Sequence, residues 1–99
     1  MHHPVFDVRI GGEVWRTANW SLGGLLLIRS YEGSLVPGDR VRGSIAPAGA
    51  RAAEGVPFTA RIVRRARGGH ALAVQFDPLD DRLLAFLERC LRRSLRASA

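Results

Sequence analysis

The chain of 99 residues contains no lysine: all of its 15 basic residues are arginine, against 9 acidic ones, for a formal net charge of +6. Without lysine there is no phosphate loop of the Gly-x-x-x-x-Gly-Lys type. Cysteine is almost as scarce. The single Cys90 rules out an internal disulfide and offers no zinc-ligand spacing, which points to a reducing, cytoplasmic setting. Long hydrophobic runs are missing as well. The longest, Leu25-Leu26-Leu27-Ile28, is far short of a membrane span, and nothing at the N-terminus has the pattern of a signal peptide. No tract is biased enough to be disordered, no internal repeat is visible, and the length suits one domain over residues 1–99.

The all-arginine charge has two readings. A guanidinium is a planar fork suited to phosphates and guanine edges, so the arginines could mark a nucleotide or nucleic-acid surface. Alternatively, codon bias in a GC-rich genome enriches Arg, Ala, Gly and Leu together, and this chain is rich in all four. The arginines do not gather in one block, which favours the second reading.

The first two-thirds of the chain reads as β-structure, with strands between about residues 5 and 76. Val5 to Ile10 is strand-like, and Gly11-Gly12 forms a two-residue hairpin turn before Glu13 to Thr17. Leu25 to Arg29 continues as a buried strand. "EGSLVPGD" is a turn-rich connection in which Pro37-Gly38-Asp39 reverses the chain. From Arg40 to Ala46 the pattern alternates, with Val41 and Ile45 on one side and Arg40, Arg42 and Ser44 on the other. "PAGARAAEG" is a loop. Phe58, Ala60 and Ile62 alternate with Thr59 and Arg61, and Gly68-Gly69 turns the chain into Leu72, Val74 and Phe76.

The last quarter changes period. Leu79, Leu83, Leu84, Leu87, Leu91 and Leu95 share one helical face over about residues 78–96. Asp77 is placed to cap this helix, Pro78 to occupy its first position, and Asp80 and Asp81 to sit at its positive end. Arg89, Arg92, Arg93 and Arg96 complement the negative end. The expected fold is mainly β: six short antiparallel strands curled into a small barrel, with one amphipathic C-terminal helix covering an opening.

Catalysis finds no support in this composition. His2, His3 and His70 share no local motif with a carboxylate, so no metal site is expected. Cys90 lies at the edge of the apolar helix face and reads as a small core residue, not a nucleophile. Helix capping accounts for Asp77, Asp80 and Asp81. The chain is therefore expected not to be an enzyme and to carry no cofactor.

One stretch remains, "TANWSLGGLLL". In an extended strand Asn19 and Ser21 project from one face and Trp20 from the other. Asn offers an amide donor and a carbonyl acceptor, and Ser a hydroxyl that does either, so the pair can read the edge of a planar base. Gly23 and Gly24 permit a bulge and remove side chains that would block a ligand. The same residues could also form no more than a polar bulge between strands.

Asn19-x-Ser21-x-x-Gly24 followed by Leu25-Leu26-Leu27 resembles the (D/N)-x-S-x-x-G motif of the PilZ domain family. The order of the later segments is similar too: "PGDRVRGSI", "TARIVRRA", "ALAVQF" and a terminal helix, covering nearly all of residues 5–96. The resemblance implies a six-stranded antiparallel Greek-key barrel with a C-terminal helix, a non-enzymatic regulatory role in bacterial signalling, and cyclic di-GMP as ligand. It assigns Asn19 and Ser21 to guanine contacts and Gly24 to the space where the base packs on the barrel.

The family's other half-site, R-x-x-x-R before the first strand, has no counterpart here, since only Met1-His2-His3-Pro4 precedes it. The spacing recurs at Arg61/Arg65, Arg89/Arg93 and Arg92/Arg96, in a late strand or the helix, where the role does not transfer. Arg9, on the first strand, is the nearest candidate by strand parity, ahead of Arg16. Losing two charge-assisted contacts of about 1.5–3 kcal/mol each would lower affinity by about 10²–10⁴-fold.

Three accounts of the gap stand: a domain within a larger parent protein whose arginines lie upstream, a degenerate member acting as a protein-interaction adaptor, or arginines supplied by a partner or second copy. Leu91 and Leu95 offer a surface for a dimer. A basic barrel binding single-stranded nucleic acid is a further class, but the chain has only 4 Phe, 2 Trp and 1 Tyr, and its core needs most of them.

Overall fold

A computed structural model describes residues 5–30, 34–51 and 55–98, with side chains to residue 93. His2 and His3, Glu32, Gly33 and the Ala52–Glu54 part of the expected loop lie outside the described residues, as do the side chains of Leu95 and Arg96.

Six strands form the barrel: β1 (Phe6–Ile10), β2 (Glu13–Trp20), β3 (Gly24–Ile28), β4 (Arg40–Pro47), β5 (Val56–Ala66) and β6 (Ala71–Phe76). Every pairing is antiparallel and the sheet closes in the order β1-β2-β3-β6-β5-β4. The first three strands are joined by short turns, while β4 returns through a long connection to pair with β1. That is a Greek key, and closure leaves no free sheet edge. The Gly11-Gly12 hairpin is present as expected, joining Ile10 to Glu13 with Gly11 at φ +59°.

The alternating pattern builds the interior. Phe6, Val8 and Ile10 of β1 meet Trp15, Leu25, Leu27, Ile45, Phe58, Ala60, Ile62, Leu72 and Val74 in one buried cluster. Thr17 is its polar exception at 3% exposed, and its Oγ1 accepts a hydrogen bond from the Phe6 backbone N–H at 2.9 Å. This pairs the buried amide where a buried orphan would cost about 1–3 kcal/mol.

Helix α1 (Asp81–Ser98) buries Leu83, Phe86, Leu87 and Cys90 against this cluster. Phe86 sits 5.6 Å from Phe6, centroid to centroid, and Phe6 lies 5.0 Å from Trp20, so the aromatic contacts link helix and barrel core. The helix start differs from the sequence expectation. Asp80, not Asp77, is the cap: its Oδ1 accepts from the Leu83 N–H at 2.8 Å. Pro78 therefore precedes the helix instead of opening it, and its bond to Asp77 is cis. Asp77 lies far enough from the helix to pair with Arg40 at 3.6 Å and Arg61 at 3.7 Å.

Two strands also run further than their sequence suggested, and each carries a bulge. In β2 the register with β3 shifts between Thr17 and Asn19, and in β5 the register with β6 shifts between Ile62 and Arg64. Bulges add one unpaired residue and change which way the next side chains face. Here they occur on opposite sides of one patch of the barrel's outer surface.

Candidate ligand-binding site

The Asn-x-Ser-x-x-Gly stretch forms the β2–β3 turn. Asn19 is in β2, Ser21 just beyond it, and Gly24 opens β3. Before the bulge the odd-numbered Trp15 and Thr17 point inward; after it Trp20 does, at 2% exposed, while Asn19 and Ser21 are exposed. Asn19 and Ser21 thus lie on the solvent side with Trp20 opposite, as strand geometry anticipates.

The turn is closed by its own hydrogen bonds. The Ser21 N–H donates to the Gly24 carbonyl at 3.0 Å, and the Phe76 N–H donates to the Gly23 carbonyl at 3.0 Å, tying the turn to the end of β6. Ser21 Oγ accepts from the Gly23 N–H at 3.2 Å, and Asn19 Oδ1 accepts from the Trp20 N–H at 2.9 Å. Both acceptors thereby serve the turn, while the Asn19 amide protons and the Ser21 hydroxyl proton stay outside these bonds. What the pair presents outward is a set of donors. Donors suit the N7 and O6 acceptors on a guanine edge.

Beside these groups lies an open shelf of about 490 Å³. Leu26, Ala73 and Val63 form its apolar floor, with Gln75 at one side. Val63 is the bulged residue of β5 and is 54% exposed. Arg64 pairs with Ala73 across β5 and β6, and Arg61 pairs with Gln75, so two arginines stand in strand register with residues that line the shelf. Arg61 is engaged by Asp77, whereas Arg64 makes no ion pair among the described residues.

Gly24 has a requirement that precedes any ligand. A Cβ there would collide with the Val74 carbonyl oxygen and come within 3.2 Å of Gln75 Cα, because β3 and β6 approach closely at this pair. Gly23 is different, with only Ser21 Oγ near, at 3.8 Å. The barrel itself demands the second glycine.

The arginine candidates must be reassigned. Arg9 pairs with Val14 and Ser44, five residues up β2 from Asn19, roughly 15 Å by strand rise. It does not join the motif. The parity argument that favoured it over Arg16 assumed an unbroken strand, and the bulge at Ala18 overturns it. Arg16 pairs with Ile28 while Asn19 pairs with Leu26, so the two occupy successive outward positions on one face, about 7 Å apart along the strand. Arg16 Nε lies 3.5 Å from Asp7 Oδ1 and the side chain is 63% exposed.

No group of three or more His, Cys, Asp or Glu side chains converges on a metal-sized site among the described residues. No helix among them is long and apolar enough to cross a membrane. Cys90 is 4% exposed, and burial pushes its thiol up, with Arg93 and Arg89 opposing the shift. A thiol held protonated in the core is a poor nucleophile.

The family model for the PilZ domain matches residues 3–93. No protein in a search of curated sequences matches the chain.

Proposed function

We propose, since this chain belongs to the PilZ domain family, that it binds cyclic di-GMP as a regulatory domain, with Asn19 and Ser21 donating to a guanine edge. The family is one of non-catalytic receptor domains for that messenger. The observation that carries the reading is the disposition of hydrogen-bonding groups in the turn. The acceptors of Asn19 and Ser21 are used internally, and their donors face an apolar shelf wide enough for a base. Gly24, Leu26 and Ala73 supply the flat surface, Arg61 and Arg64 pair with residues that line it, and Arg16 is the next outward position on β2 from Asn19.

Calorimetric titration of cyclic di-GMP, with an Asn19→Ala/Ser21→Ala variant beside it, tests the reading. Each neutral hydrogen bond contributes about 0.5–1.5 kcal/mol net, so removing both should weaken binding about 5–150-fold. Binding that the double variant leaves unchanged would place the ligand elsewhere. No heat up to about millimolar ligand would favour the adaptor reading, to which Val63 lends a specific observation: an exposed apolar side chain beside Leu26 is a surface a protein partner could cover.

A further inference from the structure

Next to Arg16 the outer surface opens into a second cleft, of about 650 Å³, the size of a small-molecule site. Three arginines reach it from three separate elements: Arg16 from β2, Arg29 just past the end of β3, and Arg67 from the 3-10 turn Arg67–Gly69 between β5 and β6. His70, the next residue after that turn, also lines it, and Ile28 supplies an apolar wall.

Two of the three cations are held in place by the fold. The Arg29 guanidinium lies over the Trp15 ring, 5.4 Å from its centroid. Its Nη1 is 3.4 Å from Glu13 Oε2, yet neither Nε nor Nη1, both buried, has a hydrogen-bond partner among the described residues. Glu13 is itself anchored by the Trp15 Nε1–H at 3.3 Å and by the Ser34 N–H at 2.9 Å. Asp7, which pairs with Arg16, accepts from the Gly49 N–H at 3.1 Å. The two carboxylates therefore serve as fixed supports and offset two of the three charges. Arg67 has no carboxylate partner among the described residues. His70 Nδ1 lies 3.3 Å from the Arg29 carbonyl, and the Nδ1–H donates there in the tautomer that leaves Nε2 as a further polar atom.

Arg67 adds an independent sign. It is the one non-glycine residue with positive φ among those described, at +55°, with Gly68 at +65° and Gly69 at +92° after it. A long side chain in this conformation is disfavoured, and the two glycines after it show that the turn could be built without one. Here the strained position carries an arginine that lines the cleft.

We infer that this cleft, built by Arg16, Arg29, Arg67 and His70, binds the phosphate group of a small phosphorylated ligand. Forked donors contributed by three separate elements suit a tetrahedral anion, whereas a carboxylate needs only one such fork. The inference stands on the cleft's own geometry and does not depend on cyclic di-GMP binding at Asn19 and Ser21.

The test is an amide NMR titration of the chain with inorganic phosphate at constant ionic strength. Shifts should saturate on the order of 1 mM and centre on residues 28–30 and 67–70. Arg67→Gln and Arg29→Gln should each weaken binding about tenfold, and Arg89→Gln, an equal charge change on an exposed part of the helix, should not. Arg67→Gly keeps the fold testable: it should lose the same affinity while raising the unfolding midpoint, because it relieves the positive φ. Displacement of phosphate by cyclic di-GMP would identify the nucleotide as the source of the phosphate. Saturation by phosphate without displacement would identify a free phosphate or a different phosphorylated molecule, and would stand even if the calorimetric test at Asn19 and Ser21 failed. Shifts that never saturate, or that Arg89→Gln weakens as much as Arg67→Gln, would overturn the inference.

Discussion

Replacing Gly24 by alanine should damage the barrel before it touches ligand binding, and replacing its neighbour Gly23 should not. At Gly24 the new methyl would meet the Val74 carbonyl and Gln75 Cα, both backbone atoms of the paired strand β6. No side chain can swing away to admit it, so β3 must move from β6, and overpacking of this kind costs about 1–3 kcal/mol. Against that stands the lower entropy of an unfolded chain with one glycine fewer, about 0.4–1 kcal/mol in favour of alanine. The net expectation for Gly24→Ala is a loss of about 1–2 kcal/mol. At Gly23 the methyl makes no more than an ordinary contact with Ser21 Oγ, with φ outside the left-handed region, so only the entropic gain remains. The two variants should therefore move in opposite directions. Urea unfolding monitored by circular dichroism reads this directly. With m on the order of 1 kcal/mol/M for a domain this small, the midpoint should fall by about 1–2 M for Gly24→Ala and rise slightly for Gly23→Ala. Equal midpoints for Gly24→Ala and the parent chain would refute the close-approach argument and return the glycine to a purely ligand-related role.

The helix carries two more expectations. Asp80→Ala removes the acceptor for the Leu83 N–H and should cost about 1 kcal/mol of stability, whereas Asp77→Ala removes only half-exposed ion pairs and should cost at most about 0.5 kcal/mol; thermal unfolding of the two variants separates the assignments. Burial raises the Cys90 thiol above its ordinary value of 9.0. The unfolded chain then loses this proton first as pH rises, so the contribution to stability is complete below 9 and declines as pH climbs through the folded value. Unfolding midpoints measured from pH 8 to 11 should fall more steeply for the parent chain than for Cys90→Ala.

Period-two alternation exposed the barrel strands because each has one face in the core. Phe58, Ala60 and Ile62 alternate with exposed or half-buried neighbours, and the Gly11-Gly12 turn sits where two such segments meet. The helix was equally legible from its leucine spacing. Its first residue was not, since Asp77-Pro78 and Asp80-Asp81 both satisfy local capping rules, and only the approach of Arg40 and Arg61 decides between them. Local pattern also identified Asn19, Ser21 and Gly24 as a turn with outward polar groups. The shelf beneath them was hidden, because Ala73, Gln75 and Val63 arrive from strands about fifty residues away. Arg29, Arg67 and His70 were hidden for the same reason. Their one local trace is an arginine preceding Gly68-Gly69, which acquires meaning only once its positive φ is known.

The bulge at Ala18 shows how a single unpaired residue decides which chemistry is available. In an unbroken β2, Arg16 and Asn19 would face opposite sides of the wall, and one would have to be buried. The extra residue lets Trp15, Thr17 and Trp20 all enter the core while Arg16 and Asn19 both remain outside. Core packing and surface function are thus satisfied together, at the cost of one unpaired position. On β3 the partners of Arg16 and Asn19 are Ile28 and Leu26, so a continuous outward strip joins the arginine cleft to the donor turn. A missing arginine pair was expected to lower nucleotide affinity by two to four powers of ten. One charge-assisted bond from Arg16 would restore about 1.5–3 kcal/mol, or roughly one to two of those powers. Arg16→Gln therefore discriminates between a shared and a divided surface. If one ligand spans the strip, this variant should weaken cyclic di-GMP and phosphate alike, by about tenfold or more each. If the sites are separate, it should weaken phosphate and leave cyclic di-GMP unaffected.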